Sequence, residues 1–181
     1  MKKLLIFSFL LVQTYLSHAQ NQSYFPLSDS TGLKQTFIMG DKSFTEYYLI
    51  DKQQKGEYQY SVRVRQYSWG EADSSLFREG EKYYYSRDKE THLETIEMPK
   101  DPIVNESWLE SDSSWRYEVK SINATLKTPT CKYENLIMIE AEQLTGRDKN
   151  NKYPKYYNYY ARGKGYIASV VNGKLLSYLK E

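Results

Sequence analysis

The amino-acid sequence predicts an all-β protein, a single antiparallel meander of about ten strands that forms a strongly curved sheet or an open barrel. First, apolar and polar residues alternate over residues 58–65, as in a strand with one apolar and one polar face. Second, the chain contains 19 tyrosines, and tyrosine favours strands. Third, glycine-containing turn signals separate the extended runs, and no window has the periodicity of an amphipathic helix.

The extended segments follow one another along the chain and are rich in tyrosine and β-branched residues. They are residues 35–39, 44–51, 58–65, 82–87, 92–98, 115–125, 134–144, 153–161, 166–171 and 174–179. After residue 65 the apolar positions shift to Tyr67 and Trp69, which predicts a β-bulge or a bend near Gln66.

Turn residues predict how these strands are connected. Asn172-Gly173 lies between two apolar runs and predicts a two-residue hairpin, because both positions tolerate positive φ. Gly56 and Gly80 indicate two further reversals, and residues 146–152 form a polar loop. Prolines and polar residues between 99 and 114 predict a loop between two halves of the sheet.

About ten consecutive strands should not form a flat plate. Strands twist, so a sheet of this size curls or splits into two layers. No internal repeat or long linker divides the chain. The meander is therefore expected to form one domain, as a curved sheet, an open barrel or a closed barrel.

The first 19 residues have the three parts of a bacterial export signal. Two lysines precede an apolar run over residues 4–12, and Ser17 and Ala19 place small side chains at the −3 and −1 positions. The run is shorter than the about 20 apolar residues that a membrane-spanning helix needs. The sequence thus predicts a signal peptide at 1–19, a single β-domain at 20–181, and a periplasmic or secreted location without an integral membrane segment.

Composition limits the chemistry of the chain. The 25 basic and 23 acidic residues nearly balance, and loss of Lys2 and Lys3 with the signal would make them equal, which argues against a nucleic-acid partner. Cys131 is the only cysteine, and His92 would be the only histidine left after His18 is removed. These residues are too few for the usual zinc or iron–sulfur sites, so we expect no metal and no cofactor.

Four stretches carry a resemblance to a known group of proteins. They are residues 24–27 (Tyr-Phe-Pro-Leu), a proline-led segment ending at Trp108, residues 128–139, and residues 159–167, which contain Tyr-Tyr-Ala-Arg-Gly-Lys-Gly. In this order and spacing they resemble an uncharacterised family of small exported β-proteins of Gram-negative bacteria. That family is distantly similar to the open β-barrels of lipoprotein carriers. The resemblance implies an open barrel with an apolar cavity and assigns no catalytic residue.

Two patterns could indicate catalysis or phosphate binding, but each has a structural explanation. Residues 162–165 (Arg-Gly-Lys-Gly) have the composition of a phosphate loop, yet no helix pattern follows them, so a bend between strands is the better interpretation. Glu140 and Glu142 share one face of a strand, as a catalytic carboxylate pair would. The solvated face of a half-buried strand explains them equally well. We therefore predict no enzymatic activity.

The tyrosine excess points to either packing or ligand binding. Tyrosines on adjacent strands stabilise a sheet, but their rings could also line a groove for an apolar or amphiphilic ligand. The residues predicted to line such a site are Tyr58, Tyr60, Val62, Val64, Ile137, Ile139, Tyr157 and Tyr159.

Two functional hypotheses follow. The first is an exported soluble β-domain that binds a lipid or another apolar small molecule in its curved sheet. The alternative is a structural module of the cell envelope, or one that binds an envelope protein, with a filled core and no small ligand. An outer-membrane barrel is less favoured, because charges are interleaved within the strands and the mean hydropathy is −0.75. A cavity or a filled interior would distinguish the first two hypotheses.

Overall fold

The computed structural model describes residues 23–27, 34–89, 91–145 and 153–181. These residues form strands and no helix, which confirms the all-β prediction, and so no helix here could span a membrane. The strands are β1 (Gln35–Met39), β2 (Lys42–Tyr48), β3 (Gln53–Lys55), β4 (Tyr58–Tyr67), β5 (Ala72–Glu79), β6 (Tyr83–Arg87), β7 (Glu94–Pro99), β8 (Ser107–Leu109), β9 (Trp115–Lys127), β10 (Lys132–Gln143), β11 (Tyr156–Ala161), β12 (Gly165–Val171) and β13 (Lys174–Lys180). The predicted signal peptide at 1–19 and the loop predicted at 146–152 lie outside the described residues.

The strands form one antiparallel sheet that nearly closes into a barrel. Its order is β7-β6-β5-β4-β2-β1-β13-β12-β11-β10-β9-β8, and the short β3 pairs only with β4. The first and last strands join the two halves, since Phe37 of β1 lies opposite Leu179 of β13. The sheet edges β7 and β8 approach each other, and Ser111 N beyond β8 donates a 3.1 Å hydrogen bond to Thr95 Oγ1 of β7. The predicted curved meander is confirmed, with this seam at its mid-chain loop.

The strand count is higher than expected. The additional strands are β3, β5 and β8. The segment Ala72–Glu79 lacks the apolar alternation of β4, yet it pairs with β4 and β6 over most of its length. Of the bulge or bend predicted near Gln66, the bulge is wrong, because the β2–β4 register is continuous from Phe44↔Tyr67 to Tyr48↔Arg63. Tyrosine at position 67 continues the inner stripe of the strand.

The hairpin predicted at the C-terminal end is confirmed. Val171 lies opposite Lys174, and the two turn residues have φ angles of 50° at Asn172 and 74° at Gly173. Two consecutive positive φ values are typical of the turn that matches the right-handed twist of a hairpin. This turn sets the register that brings β13 beside β1.

The pairing register assigns each side chain to the inner or the outer face of the barrel. The main apolar cluster contains side chains from strands on both sides of the seam. These side chains meet in the interior of the barrel. Its buried members are Tyr24, Phe25, Phe77, Tyr84, Met98, Trp108, Val119, Ile137, Ile139 and Tyr160. A second cluster surrounds Phe37, Phe44 and Leu179, where β1, β2 and β13 meet. Trp108 is therefore a core residue.

Residues 23–27 lie inside the barrel and contact the turn between β11 and β12. Phe25 is buried against the rings of Phe77 and Tyr84, with centroids 5.2 and 5.4 Å away. Gly163 N donates a 2.8 Å hydrogen bond to the carbonyl oxygen of Ser23. Gly165 has a φ of 79°, and a Cβ there would lie 3.1 Å from Pro26.

Residues 24–27 and 162–165, which were singled out separately in the sequence, thus form one contact. The Arg162 guanidinium also lies over the Tyr24 ring, 4.3 Å from its centroid. The two glycines permit a tight turn and a close approach of backbone, which confirms the structural interpretation of this motif.

Candidate functional site

The inner face of the barrel is only partly filled. A cavity of about 330 Å³, here called the inner cavity, lies between the two apolar clusters. It is lined by Phe25, Met39, Phe44, Glu46, Arg63, Arg65, Glu97, Tyr156, Asn158, Tyr160, Tyr166, Ser169, Leu176 and Ser177. A second space of about 350 Å³, the rim cavity, extends to the loops after β6 and β8, where Asp88, Ser111 and Asp112 are exposed.

Arg63 and Glu97 border both cavities. Arg63 lies on the inner stripe of β4. Glu97 lies at an irregularity of β7, where Tyr85 pairs with Ile96 but Tyr84 pairs with Met98. The skipped residue is thus a β-bulge, a device that redirects a side chain and occurs often beside functional sites. Glu97 shares the inner face with Thr95, and its carboxyl group lies at the boundary between the two cavities.

A second carboxylate, Glu46 on β2, is held by two arginines. Arg65 donates from Nε at 2.8 Å and from Nη2 at 2.5 Å to Glu46 Oε1. Arg63 Nη1 lies farther away, 3.7 Å from Glu46 Oε2. The Glu46 side chain is only 7% exposed, so its negative charge is compensated mainly by Arg65.

The pKa of Glu97 is raised above its usual value. Burial is the main cause, and the negative charges of Glu46 and Glu110 add to it. The positive charge of Arg63 and a hydrogen bond from Ser86 lower the pKa but do not offset the burial. The ionised form of this carboxyl group is therefore less favoured than that of an exposed glutamate.

The aromatic part of the inner cavity includes tyrosines that favour the protonated form. Burial raises the pKa of Tyr166 to about 12 and raises the pKa of Tyr160 well above its usual value. The Tyr166 hydroxyl forms a 2.6 Å hydrogen bond with Ser177 Oγ. The rings of Tyr160 and Tyr166 meet edge to face, with centroids 5.8 Å apart. These residues offer apolar surface beside hydroxyl groups.

The structure divides the predicted ligand-binding residues between the two faces of the sheet. Ile137 and Ile139 belong to the inner apolar cluster and lie opposite Tyr160 and Asn158. The other six residues are on the opposite stripes of β4 and β11. They are Tyr58, Tyr60, Val62, Val64, Tyr157 and Tyr159. None of the eight lines either cavity, and the binding role assigned to them stays a prediction.

The outer stripe of β4 is nevertheless partly buried. Tyr60 and Val62 form a separate cluster with Leu76 of β5. Arg78 covers this region, since its guanidinium lies 4.1 Å from the Tyr58 ring centroid and 4.2 Å from that of Tyr85. Long side chains on the outer face therefore shield the apolar stripe that the sequence suggested for the interior.

The carboxylate pair on β10 is also on the outer face. Glu140 accepts hydrogen bonds from Lys155 Nζ at 3.0 Å and from the Tyr157 hydroxyl at 2.9 Å. Glu142 pairs with Arg116 and lies 3.5 Å from Lys155. Both carboxylates thus belong to an ion-pair network. In the part of the chain that is described, no group of three His, Cys, Asp or Glu residues could hold a metal ion.

No family model, no curated protein and no solved structure matches this chain. The resemblance to the exported family stays a prediction, and the site must be interpreted from its own geometry. Its principal residues, Glu46, Arg63, Arg65 and Glu97, were not among those predicted. One signal was present in the sequence, because Arg63 and Arg65 alternate with Val62 and Val64 in a long central strand.

Proposed function

We propose that this chain is an exported protein that binds a small amphiphilic molecule inside its barrel. The observation that carries the proposal is the inner cavity, about 330 Å³ in volume and lined by both aromatic rings and charged groups. Ligand sites usually have volumes of 300–1,000 Å³ and combine apolar surface with a few polar groups. A cavity of this size between packed clusters favours ligand binding over the alternative structural module with a filled core.

The lining supports an amphiphilic ligand better than a purely apolar one. Phe25, Phe44 and Met39 offer an apolar wall, but Arg63 and Glu97 lie in the same cavity. Polar groups that lose water to an apolar chain without a new hydrogen bond are costly to bury. A ligand with an apolar body and a polar group would satisfy both parts of the site.

The test is to purify the chain from the bacterial periplasm, record its native mass, and titrate the protein with N-phenyl-1-naphthylamine. This neutral probe fluoresces strongly in apolar surroundings. We expect a co-purified small molecule or saturable probe binding with one site per chain. A bare native mass together with no saturable binding would contradict the proposal and favour the structural module.

A pair of variants localises the binding to the inner cavity. Asn158→Phe places a ring in the cavity and should abolish saturable binding. Asn123→Phe makes the same change at an exposed position of β9 and should bind as the wild type does. Equal binding by both variants would show that the probe occupies another surface.

A further inference from the structure

Arg63 is a charged residue of the barrel interior whose N–H donors have few partners. Its side chain is only 17% exposed, and its guanidinium carries five N–H donors. Among the described residues, no hydrogen bond from these donors is formed; the nearest carboxylate oxygen is the one on Glu46, 3.7 Å away. Since buried donors are normally hydrogen-bonded, these N–H groups are available to a molecule in the cavities.

The surroundings of Arg63 hold its guanidinium in place but leave its N–H donors without hydrogen-bond acceptors among the described residues. Its Cζ lies 4.4 Å from the centroid of the Phe77 ring, so the ring supports one face of the guanidinium. Contact through a face leaves the N–H groups, which lie in the plane, free to donate. The side chain is therefore oriented before any ligand arrives.

The inner cavity is lined by two arginines and two glutamates, and of these arginines only Arg65 makes side-chain hydrogen bonds within the described residues. Arg65 compensates Glu46 through two hydrogen bonds. Burial raises the pKa of Glu97, so its ionised form is less favoured than that of an exposed glutamate. Arg63 then has no anionic partner of its own within hydrogen-bonding distance. A ligand with one negative charge would balance this cation, whereas a dianion would face the nearby Glu46 carboxylate.

We infer that the inner cavity binds a monoanionic carboxylate with an aromatic or short apolar body, and that Arg63 binds the carboxylate group. The planar fork of arginine matches the two oxygens of a carboxylate. Glu97 lines the same cavity, and its protonated form can donate a hydrogen bond to the same group. The body of the ligand then contacts Phe25, Tyr160 and Tyr166. This inference rests on the proposed binding function and specifies its ligand class.

The test compares two probes of the same shape, naphthalene-2-carboxylate and naphthalene-2-carboxamide. Each displaces N-phenyl-1-naphthylamine from the wild-type chain at pH 6, and the two dissociation constants are compared. We expect the carboxylate to bind about tenfold more tightly, because charge-assisted hydrogen bonds to arginine are stronger than neutral ones. Binding of the neutral amide measures the contribution of the cavity itself. The ratio of the two dissociation constants measures the contribution of Arg63.

Variants assign the preference to one side chain. Arg63→Met should bring the ratio close to one while amide binding persists, and Arg63→Lys should keep part of the preference. Arg116→Met is the matched control, since Arg116 lies on the outer face and pairs with Glu142. It should retain the wild-type ratio. Circular dichroism checks that each variant keeps the β-sheet spectrum.

The outcomes separate the two proposals. A carboxylate preference of less than twofold in the wild type, with N-phenyl-1-naphthylamine still bound, would overturn the ligand class and leave the proposed binding function intact. An unchanged preference in a folded Arg63→Met variant would also overturn the inference. If Arg63→Met does not fold, Arg63→Lys and Arg116→Met provide the test. Loss of the whole carboxylate preference in both of these variants would count against a role of Arg63. Absence of saturable binding by all three probes would contradict both proposals.

Discussion

Two arginines on neighbouring strands, Arg78 on the outer face and Arg63 on the inner face, have different surroundings. Arg78 donates to both oxygens of Glu94 at 2.5 Å, and two tyrosine rings enclose its guanidinium. On the inner face, Arg63 makes no hydrogen bond within the described residues, and it borders two cavities together with Glu97. The outer arginine–glutamate pair is saturated and stabilises the sheet. The inner arginine retains donors that a bound molecule could use.

The two glutamates also have opposite pKa shifts although only two residues separate them on β7. Hydrogen bonds from Arg78 lower the pKa of Glu94. Burial raises that of Glu97. The difference follows from the alternation of the strand, because residues three positions apart face opposite sides of a sheet. Glu97 thus faces the barrel interior while Glu94 is on the outer face with Tyr60 and Arg78. Replacing each of the two glutamates by glutamine should therefore have opposite effects on the stability of the protein.

The largest effect should come from breaking the saturated pair. Glu94→Gln removes the charge but keeps the shape, so Arg78 loses two charge-assisted hydrogen bonds. We expect the free energy of unfolding to fall by about 2 kcal/mol at neutral pH. Urea unfolding followed by tryptophan fluorescence measures the change. Glu134→Gln, at an exposed pair with Lys132, is the control and should leave the midpoint unchanged.

Acid should remove the same contribution from the wild type. Because the pKa of Glu94 is lowered on folding, its stabilisation is present above the usual value near 4.5 and is lost as the pH falls through the lower folded value. The wild type should thus lose more stability than Glu94→Gln as the pH falls from about 5 to 3. Parallel pH profiles for the two chains would contradict this explanation.

The opposite sign is expected for Glu97→Gln. Because the pKa of Glu97 is raised on folding, its contribution is fully present below the usual value near 4.5 and is lost as the pH rises through the folded value. Glutamine imitates the protonated form at every pH. The variant should melt at a higher temperature than the wild type at pH 8, and this difference should disappear near pH 4. Thermal scans at both pH values provide the measurement.

An equal melting temperature at pH 8 would show that Glu97 is ionised without cost. The charged groups around it are Arg63, Glu46 and Glu110, so removing Arg63 should raise the pKa of Glu97 further. Glu97→Gln in the Arg63→Met background therefore sharpens the test. The stabilisation by glutamine should be larger there than in the wild-type chain.

The smallest effect on stability should come from Arg63→Met. Arg63 contributes one ion pair at 3.7 Å and a contact with Phe77, and methionine can replace much of the packing. We expect the free energy of unfolding to change by less than about 1 kcal/mol. Urea denaturation measures this, with Arg78→Met as the comparison. A loss as large as that of Arg78→Met would mean that Arg63 is structural.

Local patterns predicted much of the architecture. The alternation of β4 and the Asn172-Gly173 turn each depend on neighbouring residues, and the structure contains both as expected. Strand β5 was not predicted, because Ala72–Glu79 shows no regular alternation of apolar and polar residues. Its pairing with β4 and β6 on either side stabilises it as a strand. Pairing across the sheet can override a weak local preference.

The site was less accessible to prediction for two reasons. An alternating strand presents two stripes, and its period does not say which stripe faces the interior. The apolar stripe of β4 was expected inside, yet it lies outside beneath Arg78, and the stripe with Arg63 and Arg65 faces the cavity. In addition, the bulge at Glu97 is defined only by its pairing with Tyr84 and Tyr85.

By itself, the sequence determined the all-β class, the curved meander and the C-terminal hairpin, because side-chain periodicity and turn chemistry act over a few residues. Only the tertiary structure decided how the barrel closes and what its interior contains. Closure depends on β1 meeting β13, a contact between the two ends of the strand series. The curvature of the sheet places Arg63 and Glu97 beside the same two cavities, and no local pattern specifies which face of a sheet becomes the inner one.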